Sequence, residues 1–214
     1  MSTIIEAFDA VVDTSLAWLI DEASGFFSAI STGMDAAYSA SNTLMMFAPW
    51  WVVVLIVALV GWRVNGVLFA ITAAAGLWLC QTMGLWTETI ATLTLVFSST
   101  LLALLIAIPL GVLVGLSAKW KHSAELVLDF IQTMPPYIFL LPGIALLGYG
   151  PATAIWATCL VAIPPALRLT AHGIFMTPAQ YCELGSAVGM KPVSQVLKIR
   201  LPFAIPSILA GINQ

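Results

Sequence analysis

Long apolar runs alternate with short polar breaks along this chain of 214 residues. The runs approach or exceed the roughly 20 residues that an α-helix needs to cross the hydrocarbon of a bilayer. They do not show the alternating ten-residue pattern that is typical of an outer-membrane barrel. We predict membrane helices over residues 44–62, 67–85, 89–116, 124–148 and 152–167.

A sixth apolar segment begins near Phe203 and has about twelve residues before Gln214. Because this is too short to cross a bilayer, we expect the full protein to continue with further membrane helices. Composition agrees with membrane residence, since 61% of the residues are hydrophobic and 8% are charged, with a mean hydropathy of +1.03. Ordinary soluble domains carry about 25% charged residues. The predicted fold class is therefore an all-α integral membrane protein.

The basic residues fix the orientation of the predicted spans. With alternating crossings, all seven lie on one side of the membrane: Arg63, Lys119, Lys121, Arg168, Lys191, Lys198 and Arg200. Loops rich in Lys and Arg stay in the cytoplasm, so that side is cytoplasmic. Residues 1–43 contain acidic residues but no Lys or Arg and are predicted to be extracytoplasmic. They also lack the basic start of a cleavable signal peptide.

The first 43 residues are also amphipathic. An apolar helical stripe runs from Ile4 to Ile20, with Glu6 and Asp9 largely opposite to it. We expect Gly25 to separate this helix from a second one that extends to Tyr38. The pattern indicates interfacial helices packed on the membrane face of their own protein. A docking surface for an extracytoplasmic partner, or a gate, is the alternative.

Residues that commonly perform catalysis or bind metals are scattered. Cys80 and Cys159 lie in apolar runs and Cys182 in a cytoplasmic segment, so no disulfide framework or metal-ligand spacing is present. His122 and His172 stand apart from each other. We find no nucleophile with an adjacent base, no phosphate-binding loop and no basic face for nucleic acid. The sequence thus predicts no catalytic residue, no metal site and no nucleic-acid partner, and it predicts that the chain is not an enzyme.

The fourth predicted span contains an ionisable residue and two consecutive prolines. An ionisable residue inside a membrane usually faces a cavity or a partner, and proline breaks a helix where freed carbonyls can be satisfied. We therefore predict a break near mid-membrane and a translocation path or gate formed by Asp129, Thr133, Met134, Pro135 and Tyr137. A structural role for the carboxylate and simple packing kinks are the alternatives. Pro164 and Pro165 repeat the pattern near the end of the fifth span.

A polar stretch, ELGSAVGMKPVSQVLKIRLP, begins at Glu183 between the fifth and sixth spans. Residues 181–188 favour a helix, Gly189 can supply a turn, and Pro192 suits the first turn of a second short helix. Val193, Val196 and Leu197 give that second helix an apolar stripe. Two short helices held outside the bilayer by charge are suited to insertion into a groove on a cytoplasmic partner.

This stretch resembles a motif of permease subunits in binding-protein-dependent ABC importers, named for its Glu-Ala-Ala start. The matching positions are Glu183, Gly189, Ile199, Leu201 and Pro202. Leu184 and Gly185 replace the two alanines, which bears on how closely the helices pack there. The resemblance implies that this is the coupling helix, which docks on the ATP-hydrolysing subunit and transmits its closure.

Further segments resemble the permease of glycine betaine and proline betaine uptake systems. They include Leu128–Phe130, Gln132–Thr133, Ala162–Pro165, Arg168–Thr170, Gly173–Ile174, Pro206 and Ala210–Gln214. The similarity covers most of residues 89–214. It implies a type I ABC importer permease that moves compatible solutes by alternating access, with residues 1–43 outside, a transmembrane domain over 44–214 and a coupling loop over about 168–202.

The resemblance also implies the partners. Cytoplasmic ATP-binding subunits would hold ATP and Mg²⁺, so this chain would bind no cofactor itself. An extracytoplasmic substrate-binding protein would deliver the solute, and a second permease copy would complete a homodimer within the lipid of the bacterial inner membrane. Alternatives are an ABC permease for another small solute such as an amino acid, an ion-coupled secondary transporter, or a non-transporting scaffold or sensor.

Overall fold

A computed structural model describes residues 10, 11, 14 and 21–214, and every regular element within these residues is a helix. Apart from Val11, the predicted stripe between Ile4 and Ile20 lies outside the described residues. The chain forms two compact units, which are described separately below. One unit comprises Met1–Ser98 with Leu146–Ala152, and the other comprises Ser99–Ala145 with Thr153–Gln214.

The first helices are separated by prolines and glycines. In chain order they are α1 (Ser24–Phe47), α2 (Trp50–Asn65), α3 (Val67–Thr82) and α4 (Trp86–Gly115). Ala48 is extended because the following proline disfavours the helical conformation, and α1 and α2 meet at 93°. Gly66, with φ +90°, joins α2 to α3 in a single residue. The ring of Phe69 in α3 lies against Gly61 of α2, where a side chain would clash.

The remaining helices follow a broken segment. They are α5 (Ala118–Thr133), a 3-10 turn (Pro136–Phe139), α6 (Leu140–Leu147), α7 (Pro151–Phe175), α8 (Ala179–Ala187), α9 (Pro192–Gln195), a π turn (Val196–Arg200) and α10 (Leu201–Ile212). Within the described residues, α4, α7 and the continuous segment Pro192–Ile212 are each long and apolar enough to cross a membrane. The bent pairs α1–α2 and α5–α6 raise the number of spans to five if each pair crosses once.

Several predicted boundaries are wrong. The span predicted over 44–62 is interrupted at Pro49, since α1 continues to Phe47 and α2 begins at Trp50. The helix break expected at Gly25 falls at Ala23 instead. The fourth span begins at Ala118 rather than residue 124, but it is broken as predicted, with Met134 extended before Pro135 and a bend of 98°.

The ends of the last two spans also differ from the prediction. Helix α7 does not stop at residue 167 but continues to Phe175, so Arg168 lies inside a helix rather than at the start of a loop. Pro164 and Pro165 lie within this helix without ending it. The sixth segment was expected to be too short, yet Pro192–Ile212 is helical over 21 residues. The division of the chain at residue 44 into two domains stays a prediction.

In the first unit, α1 is attached by polar contacts to residues 147 and 152 of the same unit. The Asp35 carboxylate accepts a hydrogen bond of 3.0 Å from the Ala152 N–H in the first turn of α7, where helix N–H groups lack partners. One turn earlier, the Ser31 hydroxyl donates to the Leu147 carbonyl at 2.9 Å. These contacts support the interpretation of this part of the N-terminal region as a helix packed on its own protein.

The second unit is held together by close helix contacts at small residues, which is typical of membrane proteins. Gly111 and Gly115 bring α4 against α7, where a β-carbon on Gly115 would lie 2.6 Å from the Ala171 carbonyl oxygen. Gly173 brings α7 against α10 in the same way, at Ala204. Buried apolar side chains fill the space around these contacts: Ala107, Leu128, Ala166 and Leu167 in one cluster, and Ile174, Ala204 and Ile208 in another.

Candidate functional site

The polar segment after α7 contains a turn that the backbone closes by itself. Helix α8 ends at Ala187 and is followed by Gly189 at φ +76°, a conformation that favours glycine. The Met190 N–H donates to the Gly185 carbonyl at 2.9 Å, and the Gly189 N–H donates to the Ser186 carbonyl at 3.0 Å. This pair of bonds is the Schellman arrangement. The turn predicted at Gly189 is therefore present, while its role in coupling stays a prediction.

Gly185 is buried where α8 meets the π turn. A β-carbon at this position would lie 2.9 Å from Cδ1 of Ile199 and 3.3 Å from Cγ of Gln195. Gln195 also donates from Nε2 to the Ser186 hydroxyl at 3.0 Å. Glycine at the second alanine position of the motif therefore permits close packing, so the departure noted in the sequence does not separate the helices.

The second short helix is not a separate element, which corrects the sequence-based interpretation. Helix α9 continues through the π turn into α10, and the Leu201 N–H donates to the Val196 carbonyl five residues earlier. Pro202 has no N–H, so the Lys198 carbonyl cannot receive its usual α-helical hydrogen bond. A wider turn next to a missing donor is a common local solution and is frequent at functional positions. The polar segment therefore leads without a break into a candidate membrane helix.

The outer surface of this segment is apolar with charges at its edges. Tyr181, Leu184, Val188, Met190, Ile199 and Phe203 line an open groove of about 370 Å³, together with Gly185 and Lys198. Val193 and Leu197 are exposed nearby. Glu183 is exposed in the middle of α8, too far from the first turn to cap it, and belongs to neither salt bridge found among the described residues. This surface can bind a partner through apolar contacts and charge pairing.

The second candidate site is a row of polar side chains along α5, which we call the polar stripe: Lys121, Glu125, Asp129, Gln132 and Thr133. Lys121 pairs with Glu125 at 3.4 Å, and its ammonium lies 5.0 Å from the centre of the Phe175 ring. Asp129 accepts a hydrogen bond from the Arg168 guanidinium of α7 at 2.5 Å. The stripe leads along α5 to the break at Pro135.

The residues predicted to form a path lie along the end of α5 and across the break that follows it. Asp129 and Thr133 lie on the last turns of α5, Met134 follows the helix in an extended conformation, and Pro135 marks the break. The Thr133 hydroxyl donates to the Phe130 carbonyl at 2.8 Å. Tyr137 lies beyond the bend in the 3-10 turn and is 80% exposed. Whether these residues line a path stays a prediction.

Sequence reasoning missed Arg168 as a site residue because a basic residue after an apolar run was interpreted as the start of a loop. The signal that could have found it was Asp129 itself, since a carboxylate in a membrane helix needs a cationic partner. It also missed the role of Gly185, whose small size was treated as a departure from the motif.

Comparison with known proteins identifies the class. The family of binding-protein-dependent transport system inner membrane components matches residues 107–213, a range that contains both candidate sites. The chain belongs to this family. It is a multi-pass inner-membrane protein, and the predicted all-α fold class with type I ABC permease helices is confirmed.

Named relatives make the comparison more specific. The chain is 29% identical over 206 residues to the glycine betaine/proline betaine transport system permease protein ProW of Escherichia coli. It is 30% identical over 204 residues to the glycine betaine transport system permease protein OpuAB of Bacillus subtilis. It is 32% identical over 196 residues to the glycine betaine/carnitine transport permease protein GbuB of Listeria monocytogenes.

These alignments cover almost all of this chain but only part of each relative. They include 96%, 95% and 89% of this chain, and 58%, 72% and 69% of ProW, OpuAB and GbuB respectively. The predicted resemblance to betaine permeases is confirmed over most of the chain. The relatives are transport permease components.

Proposed function

We propose that this chain is the permease subunit of an ATP-driven importer of compatible solutes of the glycine betaine type. The observation that carries the proposal is the turn at Gly189, which is closed by hydrogen bonds within the chain. This turn lies within the motif of the coupling segment, and the segment packs on a helix that continues toward the membrane. The names of the relatives supply the substrate class.

The contacts define a route for mechanical coupling. Movement of α8, imposed by an ATPase docked at Glu183 and the apolar groove, passes to Ile199 through the tight contact at Gly185. From the π turn it passes into α10, where Leu201 packs on the buried cluster of Ile174 and Ala204. Gly189 sets the angle of the joint, and Pro202 contributes the wider turn that begins the return toward the membrane. Packed, stiff contacts transmit such a motion because they cannot absorb it.

The assembly that follows from this proposal has separate parts. ATP and Mg²⁺ bind to cytoplasmic ATPase subunits, and an extracytoplasmic binding protein delivers the solute. A second copy of the permease completes the pore, and lipid covers the exposed apolar faces. The N-terminal region up to residue 43 lies outside the cytoplasm.

The proposed topology predicts which residues are accessible from outside the cell. Single cysteines introduced at Ser2 and Ser194, in a background without Cys80, Cys159 and Cys182, differ in their labelling by an impermeant thiol reagent on intact cells. We expect labelling at position 2 and protection at position 194, because basic loops remain in the cytoplasm. Labelling of both after membrane permeabilisation is the control. The reverse pattern on intact cells would refute the topology.

The substrate claim predicts uptake of quaternary ammonium solutes. Tight recognition of such cations usually needs several aromatic faces, each contributing about 0.5–2 kcal/mol. Trp50, Trp62, Trp78 and Trp120 are exposed near helix ends, positions that favour an interfacial belt. We therefore assign high-affinity selection to the binding protein and only weak, transient binding to the permease.

Uptake by the complete system in cells lacking other osmolyte carriers tests this assignment. We expect ATP-dependent accumulation of radiolabelled glycine betaine, which is lost when the ATPase is inactivated and persists when the ion gradient is collapsed with ATP maintained. If betaine, proline betaine, choline and carnitine are all excluded while an unrelated solute enters, the substrate claim is wrong and only the permease assignment stands. Uptake that follows the ion gradient would instead favour a secondary transporter.

A further inference from the structure

We propose that the Asp129–Arg168 pair is a transient binding site for a zwitterionic solute. The carboxylate of the solute replaces Asp129 as the partner of Arg168, and the cationic group of the solute pairs with Asp129. This inference rests on the proposed function and adds where and how the permease itself contacts the solute. It is carried by the position, exposure and bonding of these two side chains.

One member of the pair lies in a candidate membrane helix. Arg168 lies inside α7, a candidate membrane helix that continues to Phe175. Charged side chains in membrane helices, including those near the cytoplasmic end, face water or a partner rather than lipid. The Asp129 side chain is 62% exposed and that of Arg168 is 37% exposed. Part of each side chain is therefore accessible on the surface of this chain, where a small polar solute can contact it.

Not all N–H donors of the Arg168 guanidinium are hydrogen-bonded. Its guanidinium has five N–H donors in a planar fork, which matches both oxygens of a carboxylate. One terminal nitrogen donates to a single oxygen of Asp129. The Nε atom is buried and has no hydrogen-bond partner. A carboxylate that engages the two terminal nitrogens with both oxygens would accept two parallel hydrogen bonds, where Asp129 accepts one.

The pairing of two opposite charges selects a solute that carries both. A solute with a carboxylate and a cationic group can replace the ion pair and leave neither side chain unpaired. A cation alone would leave Arg168 without a partner, and an anion alone would leave Asp129 without one, so a zwitterion is favoured over either. The exchange forms and breaks only ion pairs and hydrogen bonds.

The rest of the polar stripe extends the site in both directions. The Lys121–Glu125 pair lies two helical turns from Asp129 at its far end, and Glu125 precedes Asp129 by one turn, about 6 Å along α5. A solute that leaves Asp129 and Arg168 meets a second pair of opposite charges. Gln132 and Thr133 continue the stripe toward the break at Pro135. The zwitterion thus moves from one pair of opposite charges to the next, and no charged side chain is left without a partner at any step.

The test replaces the charges while keeping a hydrogen-bonding pair. The complete transporter is reconstituted in liposomes with the double substitution Asp129→Asn and Arg168→Gln, and radiolabelled glycine betaine uptake and binding-protein-stimulated ATP hydrolysis are both measured. We expect uptake to fall at least tenfold while stimulated hydrolysis stays within twofold, because the solute site is damaged and the coupling segment is not. Arg63→Gln and Asp21→Asn are matched controls from the first unit and should leave both activities unchanged.

The same experiment distinguishes a solute-binding site from an ion pair that only stabilises the packing of α5 on α7. If the ion pair only holds the two helices together, the amides introduced by Asp129→Asn and Arg168→Gln should preserve uptake, or uptake and hydrolysis should fall together. Either result would overturn the proposal. If the double variant does not accumulate in the membrane, Arg168→Lys is tested instead, because lysine keeps the positive charge but lacks the planar guanidinium. A threefold or larger loss of uptake with unchanged hydrolysis supports the proposed site. Unchanged uptake refutes it. Absence of betaine uptake by the unsubstituted transporter would refute the proposed function instead.

Discussion

A leucine at Gly115 is expected to destabilise the second unit by about 3 kcal/mol or more, at the upper end of the usual cost of overpacking. The β-carbon would lie 2.6 Å from the Ala171 carbonyl oxygen and 2.8 Å from Cβ of Ile174. Neither atom is the end of a flexible side chain, so α4 and α7 would have to move apart. The measurement is thermal unfolding of the purified protein, with the fraction that stays monodisperse in detergent as a second readout.

A matched control is available in α3. Gly76 is also inside an apolar helix, but a β-carbon there would meet no atom within 4 Å. Gly76→Leu should therefore unfold near the temperature of the unsubstituted protein. Equal stability of the Gly115 and Gly76 variants would show that the two helices do not pack closely at Gly115.

Valine at Gly189 is expected to abolish coupling while leaving membrane insertion intact. Gly189 has φ +76° and open space around the position of a β-carbon, so the effect arises from the backbone alone. The left-handed region costs an L-residue about 1–2 kcal/mol, and β-branching makes it less accessible. The joint between α8 and α9 would then change its angle. In the full-length transporter we expect solute uptake and solute-stimulated ATP hydrolysis to fall together.

Asparagine at the same position is the control, because it tolerates positive φ better than other residues with a side chain. Gly189→Asn should keep most of the uptake and of the stimulated hydrolysis. Normal stimulation in Gly189→Val would contradict the coupling role of the joint. Equal losses in both variants would mean that the added side chain, rather than the backbone angle, disturbs docking.

Features fixed by one residue and its neighbours were predictable from the sequence. The break before Pro135 follows from the missing donor and the constraint on the preceding residue, and it was predicted correctly. The turn at Gly189 follows from the same local reasoning. The all-α membrane class follows from the length of the apolar runs.

Features that depend on distant residues were not predictable. Helix α7 continues past Arg168 to Phe175, and Arg168 pairs with Asp129 of another helix. The residues buried in this last part of the helix include Thr170, Ala171 and Ile174. Asp129 indicated that a cationic partner was needed, but the sequence did not show which residue supplies it, so a charged residue after an apolar run was interpreted as a loop. The continuity of Pro192–Ile212 was missed for a related reason, since a π turn next to Pro202 keeps the helix unbroken where a new start was expected.

The hydrogen bonds that close the joint at Gly189 also affect how fast and how tightly a partner can bind. Because the Gly185 and Ser186 carbonyls are bonded within the chain, the shape of the apolar groove exists before any partner arrives. Ordering of flexible segments on association reduces affinity, and a preorganised surface avoids that loss. In the proposed assembly, an ATPase that detaches and returns would meet the same surface each time, so its rebinding would not require refolding of the segment.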